Sequence, residues 1–154
     1  MQNIVEAMNW RYAVNKFDTS KKLTDGEIGE LLEATRLAPS SYGLQPWKMI
    51  VVTNAEVRAK LQAAGYNQPK ISEASHLAVF AAEKVVDDAL VDTFIQTVSD
   101  VRGISVENLK GYADMIKGAI AHKSMPERVE WATRQAYIGL GVLITSASSM
   151  GIDT

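Results

Sequence analysis

The sequence predicts an α+β fold in which helices outnumber strands. Two short apolar runs, at residues 48–53 and 77–81, are typical of buried strands. Several longer segments place apolar residues at i, i+3, i+4 and i+7, which is the period of an amphipathic helix. The chain has 154 residues, of which 47% are hydrophobic and 22% charged. We therefore expect a single globular domain over residues 1–154 with a buried core.

The first two helices have recognisable limits. A short first helix is predicted over residues 4–8, where the apolar side chains share one face. Thr24 and Glu27 have the spacing of a capping box, so a second helix is predicted to begin after Thr24. Pro39 is expected to stop that helix.

The middle of the chain alternates loop, strand and helix. Residues 39–47 begin with a proline and contain another at position 46, which predicts a loop. A strand at 48–53 follows, and Asn54 is expected to cap a helix over 56–64. The second strand is predicted at 77–81.

The rest of the chain is predicted to form three helices, at residues 87–101, 105–121 and 127–150. Ser124 and Glu127 have the spacing of a second capping box, and Gly151 is expected to end the last helix. Apolar or small residues surround the second half of that helix on every side. We therefore expect this half to be buried all round.

Two strands make a marginal sheet even when helices pack against it. Residues 152–154 could begin a further strand. We therefore expect that the sheet is incomplete in this chain and that the remainder is absent from it or supplied by a partner.

Composition and charge exclude several function classes. Because the chain has no cysteine, it can form neither disulfides nor thiolate metal sites, and a reducing cytoplasmic location is allowed. A formal net charge of −2 does not favour binding to nucleic acid. The first residues lack the features of a secretory signal. Polar and glycine residues interrupt the uncharged stretch at 135–152, which favours a buried helix over a membrane span.

Motifs for metal binding and nucleophilic catalysis are missing. His76 and His122 have no ligand spacing around them, so no metal site is predicted. Gly139 and Gly141 lie inside a predicted helix and do not form a dinucleotide fingerprint. Seven polar or basic residues near loops remain as candidates, namely Arg11, Lys16, Ser40, Ser41, Asn67, Gln68 and Lys70.

Three segments together resemble the nitroreductase family of FMN-dependent NAD(P)H oxidoreductases. They are NWRYAVNKFD at 9–18, APSSYGLQPW at 38–47, and NQPK at 67–70 with EASH at 73–76, and the similarity continues through 131–153. The resemblance implies a nitroreductase-like α/β sandwich, with an antiparallel-rich central sheet flanked by helices. It also implies an intertwined homodimer that has FMN at the subunit interface and the last helix at its centre.

The resemblance implies a role for each matching residue. Arg11 corresponds to a phosphate-binding arginine, and Lys70 with Asn67 to a pair at the pyrimidine edge of the flavin. Pro39, Ser40 and Ser41 are implied to form a loop that reaches the flavin from the partner subunit, although alone the segment could be a simple turn. The implied cofactor-binding residues are Arg11, Tyr12, Ala13, Asn15, Pro39, Ser40, Ser41, Gly43, Asn67 and Lys70. Tyr42 and Tyr112 are the implied substrate contacts, and Tyr112 could instead pack in the core.

The implied reaction is a ping-pong transfer from NADH or NADPH to nitroaromatics, quinones or similar flat electrophiles. No catalytic side chain is implied, since the flavin performs the chemistry. Many relatives carry Lys or Arg at position 15 and a small hydroxyl residue at position 13, where this chain has Asn15 and Ala13. We expect Lys16 to point elsewhere, and hence weaker FMN retention or a lower flavin potential.

Family chains continue beyond the position of Thr154, so we expect a C-terminally truncated domain. The alternative to the enzyme is a flavin-free, nitroreductase-like dimeric module that binds or interacts without catalysis.

Overall fold

The computed structural model describes residues 3–154. Met1 and Gln2, which begin the segment without secretory-signal features, lie outside the described residues. The helices are α1 (Ile4–Trp10), α2 (Asp25–Arg36), α3 (Ala55–Ala64), α4 (Lys70–Glu73), α5 (Asp88–Arg102), α6 (Val106–Ala121) and α7 (Met125–Ser149). The strands are β1 (Trp47–Val52) and β2 (Leu77–Ala82), and Ser41–Gly43 form a 3₁₀ turn.

Every helix and strand predicted from the sequence is present, and the ends agree to within about two residues, the usual uncertainty of such limits. The four-residue helix α4 was not predicted. It starts directly after Pro69, and four residues are too few to show a helical period.

The first predicted capping box forms in full, and the glutamate half of the second is present. Glu27 Oε2 accepts the Thr24 backbone N–H at 2.7 Å, and Thr24 Oγ1 accepts the Glu27 N–H at 3.3 Å. At the start of α7, Glu127 Oε2 accepts both the backbone N–H and the hydroxyl of Ser124 at 2.7 Å. These bonds satisfy donors that a helix N-terminus otherwise leaves free.

The end of α7 is a Schellman motif. Gly151 has a φ of +72°, which glycine adopts without strain. Its N–H donates to the Ser148 carbonyl at 3.1 Å, and the Ile152 N–H donates to the Ala147 carbonyl at 2.9 Å. The prediction that Gly151 ends this helix is confirmed.

The described residues contain one sheet, made of β1 and β2 side by side. The Glu83 N–H donates to the Pro46 carbonyl at 2.9 Å, so the end of β2 lies beside the start of β1 and the strands are antiparallel. Residues 152–154 form no strand.

The chain divides into two compact units built from interleaved segments. The first comprises Met1–Ala38, Met49–Phe80 and Gly139–Thr154. Its most buried residues include Ala7, Thr35 and Ser148, each with 0% exposure. The expectation of a single domain stays a prediction.

The second unit comprises Pro39–Lys48 and Ala81–Ile138. Its core is a cluster on α5, α6, α7 and two loop positions, formed by Leu44, Val86, Val91, Ile95, Ala113, Ile116, Ile120 and Ala132. Helices α5 and α6 form the walls of this core because their apolar residues recur every three or four positions.

One expectation about α7 is wrong for this chain. Tyr137 is 68% exposed and Ile138 is 41% exposed, so the helix is not buried on every side. The physical reason is that no described element of the chain covers this apolar face. Among the described residues, no helix is both long and apolar enough to cross a membrane.

Candidate functional site

The first unit contains a cavity of about 920 Å³, a volume within the range of small-molecule sites. Apolar side chains from α2, β1 and α7 form its walls, among them Ile28, Leu31, Met49, Val51, Leu143 and Ile144. Five basic residues also line it, namely Arg11, Lys16, Lys21, Lys22 and Lys70. The cavity therefore combines an apolar interior with a concentration of positive charge.

Three carboxylates, those of Asp18, Glu27 and Asp153, also line the cavity. Asp18 Oδ1 accepts the backbone N–H of Ser20 at 3.0 Å and its hydroxyl at 2.6 Å. These hydrogen bonds lower the pKa of Asp18, and the Thr24 bonds lower the pKa of Glu27 in the same way. Asp18 and Glu27 are held by local turns, and none of the five Lys and Arg residues forms a salt bridge within residues 3–154. These five cations outnumber the three carboxylates of the lining.

Arg11 reaches the cavity from the end of α1. It is the C-cap residue of that helix, and its backbone N–H donates to the Ala7 carbonyl at 3.0 Å. Its side chain is half-buried. A guanidinium in such a position can give two parallel charge-assisted hydrogen bonds to a phosphate or a carboxylate.

Lys70 reaches the same cavity from the first residue of α4. Its Nζ donates to the Val14 carbonyl at 3.3 Å, and the side chain is half-buried. Because an ammonium has three N–H groups, this single bond leaves donors for a ligand.

Arg58 fixes the position of α4 through hydrogen bonds to its backbone. Its guanidinium donates to three backbone carbonyls that follow Lys70, with distances of 2.9 Å to Ile71, 3.1 Å to Ser75 and 2.5 Å to Ala74. Arg58 is only 5% exposed, and its burial lowers the pKa of the guanidinium. Sequence reasoning missed this residue, because an isolated arginine on a helix carries no signal for its partners.

Two further bonds tie the α4 region to the segment that carries the other basic residues. Glu73 Oε2 accepts the Phe17 N–H at 3.3 Å, and Ser75 Oγ accepts the Leu23 N–H at 2.8 Å. Residues 70–76 therefore hydrogen-bond to residues 14–23 and order them beside the cavity.

Of the ten implied cofactor contacts, Arg11 and Lys70 line the cavity. Lys16 lines it as well. The expectation that Lys16 points away from the flavin stays a prediction. The exposed residues Tyr12, Ala13, Asn15 and Asn67 are outside the lining. Asn67 has a φ of +55°, a left-handed conformation that asparagine tolerates better than most residues.

The implied loop Pro39–Gly43 lies in the second unit and is held there by long-range bonds. The Ser41 N–H donates to Gln135 Oε1 at 2.8 Å, and the Tyr112 hydroxyl donates to the Tyr42 carbonyl at 2.5 Å. Ser40 Oγ accepts the Gln45 N–H at 2.9 Å. Hence the Ser41 N–H is not free for a flavin in this conformation, and Tyr112 orders the loop.

Gly43 and Tyr42 give this loop its shape. Their φ values are +73° and +60°, so the turn is left-handed at both positions. Gln135 lies in α7 and is 5% exposed, and sequence reasoning did not identify it.

Within residues 3–154, no cluster of three or more His, Asp or Glu side chains could hold a metal ion. His122 is the C-cap residue of α6, and His76 Nδ1 lies 2.9 Å from Ser75 Oγ.

The fold is similar to that of solved nitroreductases. A nitroreductase of Exiguobacterium sibiricum crystallised with FMN aligns with a TM-score of 0.79 and 21% identity, over 98% of this chain and 72% of that chain. An NAD(P)H:FMN oxidoreductase of Staphylococcus epidermidis aligns with a TM-score of 0.82 and 19% identity, over 98% and 71%. The chain thus has the nitroreductase-like α+β fold.

The sequence comparisons identify the family. The model of the nitroreductase family matches residues 8–154. A chain named as an NAD(P)H nitroreductase in Staphylococcus saprophyticus is 34% identical over 157 residues, which cover 99% of this chain and 72% of the relative. This protein therefore belongs to the nitroreductase family and is an oxidoreductase of the nitroreductase type.

The large cavity fits the flavin that this family uses. FMN joins a flat, largely apolar ring system to an anionic phosphate, and the lining joins apolar walls to five basic side chains. The donor set of Arg11 and the lysines suits a phosphate, which accepts hydrogen bonds and donates few.

Proposed function

We propose that this protein is an NAD(P)H-dependent oxidoreductase that binds FMN and reduces nitroaromatics, quinones or similar flat electrophiles. The observation that carries the proposal is the joint position of Arg11 and Lys70 on one apolar cavity of about 920 Å³. These two residues come from segments that are nearly 60 positions apart, and the family resemblance assigns both to the cofactor. A cytoplasmic location is part of the proposal.

Arg11 and Lys70 would hold the two polar parts of the cofactor. Arg11 would bind the phosphate, with Lys16 as a second cation. Lys70 would lie near the polar edge of the ring, where an ammonium in an apolar cavity stabilises negative charge strongly. The apolar walls would exclude water from the ring.

When bound, FMN supplies hydride acceptance and donation, so this chain needs no nucleophile or general base. Its own residues have positioning roles. Arg58 fixes α4 and with it Lys70, while Gln135 and Tyr112 fix the Pro39–Gly43 loop. In this proposal Tyr42 and Tyr112, which are 37% and 36% exposed, offer ring faces to a flat substrate.

We also propose a homodimer, in which α7 lies at the subunit interface. The support is the uncovered apolar surface at Tyr137 and Ile138. Burial of such residues against a second copy stabilises a dimer, whereas isolated exposed apolar residues are ordinary on monomers. Ile138→Glu should shift the protein towards monomer in analytical ultracentrifugation, and Val101→Glu, on an 80% exposed residue of α5, should not.

A direct experiment tests the flavin. The purified chain is mixed with excess FMN, desalted and examined for a flavin absorption spectrum, and NADH or NADPH is then added without oxygen. We expect a yellow protein that either donor bleaches and that a quinone re-oxidises. A colourless protein after desalting, with no change in FMN fluorescence on titration, would overturn the proposal.

A further inference from the structure

A second cavity, of about 400 Å³, lies in the first unit beside the large one. The two share Lys22, Ser75 and His76 in their linings. The complete lining of the small cavity is Lys22, Thr53, Ala55, Arg58, Ser72, Ser75 and His76. Two of these residues are Lys or Arg, one is histidine, three carry hydroxyls and one is alanine.

The lining contains no carboxylate, so its charged side chains are all cationic. Arg58 is 5% exposed and forms no salt bridge with a described residue. Its hydrogen bonds to Ile71, Ala74 and Ser75 go to neutral carbonyls, whereas a guanidinium has five N–H donors. A buried cation without an anionic partner is costly, and the depressed pKa of Arg58 has the same cause. An anion beside this guanidinium would reduce that cost.

The Ser75 and His76 pair offers a donor in either tautomer of the histidine. Ser75 Oγ already accepts the Leu23 N–H at 2.8 Å and lies 2.9 Å from His76 Nδ1. If Nδ1 accepts the hydroxyl proton, Nε2 carries a free N–H. If Nδ1 carries the proton instead, the Ser75 hydroxyl proton is free.

We propose that this small cavity binds a tetrahedral oxyanion, either inorganic phosphate or the phosphoryl group of a nucleotide. Such a group presents several acceptor oxygens around one centre, and Lys22, Arg58 and the hydroxyls surround the cavity with donors. The proposal does not depend on FMN, because Thr53, Arg58 and Ser72 line only the small cavity.

The test measures binding of inorganic phosphate to the full chain by ³¹P NMR and by thermal unfolding, with sodium chloride at equal ionic strength as the reference. Arg58 stays unchanged because it holds α4. The double variant Thr53→Val/Ser72→Ala removes two donors specific to this cavity, and Lys22→Gln removes a charge. The matched controls are Thr97→Val/Ser99→Ala on α5 and Lys60→Gln, an exposed residue of α3 outside both linings.

We expect phosphate to raise the melting temperature of the wild type in a saturable way. Each cavity variant should raise the phosphate Kd by about tenfold or more, since a hydrogen bond to a charged group contributes about 1.5–3 kcal/mol. The controls should leave this Kd unchanged.

A second arm identifies the source of the phosphoryl group. If adenosine 2′,5′-bisphosphate raises the melting temperature of the wild type much more than phosphate or 5′-AMP does, and the cavity variants lose that increase, the small cavity binds a nucleotide. If phosphate and the nucleotides raise the melting temperature equally, the small cavity binds the free anion. The proposal is overturned if none of these compounds stabilises the wild type beyond chloride, or if Arg11→Gln abolishes the effect and Thr53→Val/Ser72→Ala does not.

Discussion

The hydroxyl of Ser148 donates a 2.6 Å hydrogen bond to the backbone carbonyl oxygen of Ala7, across 141 positions of the chain. Both residues have 0% exposure. The same oxygen accepts the Arg11 N–H at 3.0 Å, so one buried carbonyl joins the last helix to the C-cap of the first. The backbone from which the Arg11 side chain extends is thereby anchored to α7.

Removal of this hydroxyl should weaken the first unit. Ser148→Ala leaves the Ala7 oxygen with one donor in a buried place, and we expect a loss of about 0.5–1.5 kcal/mol in the free energy of unfolding. Urea denaturation followed by circular dichroism measures it. Ser149→Ala is the control, because the Ser149 hydroxyl bonds only within its own helix, to Thr145. Equal losses in both variants would contradict the role given to Ser148.

Arg11 should dominate the affinity for FMN. Arg11→Gln removes a charge-assisted partner of the phosphate, so we expect the FMN Kd to rise by about tenfold to a hundredfold. Lys16→Gln should raise it less, since the Lys16 side chain is exposed. Fluorescence titration gives both constants, and Arg102→Gln on α5 is the control. If Lys16→Gln left the FMN Kd unchanged while Asn15→Lys lowered it, the second phosphate-binding cation would belong at position 15 rather than at Lys16.

Two glycines should respond to alanine with opposite signs. Gly151→Ala places a Cβ at a φ of +72° and should destabilise by about 1–2 kcal/mol. Gly118 lies inside α6, and a Cβ there meets nothing within 4 Å. Gly118→Ala should therefore stabilise by about 0.5–1 kcal/mol. Melting temperatures measured side by side decide this, and a Gly151→Ala variant that is as stable as wild type would disagree with the Schellman motif.

Glu27 should make the first unit sensitive to acid. Hydrogen bonds from the Thr24 backbone and hydroxyl lower the pKa of Glu27 below its usual 4.5 in the folded state. A lowered folded-state pKa stabilises the protein above the unfolded value, and the stabilisation is lost as the pH falls through the folded value. The urea midpoint of wild type should thus fall more between about pH 5 and pH 3 than that of Glu27→Gln. Glu30→Gln, in the same helix, should behave like wild type.

Local sequence patterns determined the helix and strand limits. Thr24 and Glu27 are three residues apart, and Gly151 directly follows the helix that it ends, so each signal and its partner lie within one turn. The strands were predictable because β-branched apolar runs are short and distinctive. The family motifs also nominated Arg11 and Lys70, which share one cavity.

Tertiary structure alone decided what those residues contact. Arg58 with Ala74, Ser41 with Gln135, and Ser148 with Ala7 are 16, 94 and 141 positions apart. No local period relates such partners, since each pairing depends on how helices pack and which backbone groups they leave unsatisfied. The same holds for Lys16 at the cavity and for the exposed face at Tyr137, because burial is a property of neighbours rather than of a residue's own hydrophobicity.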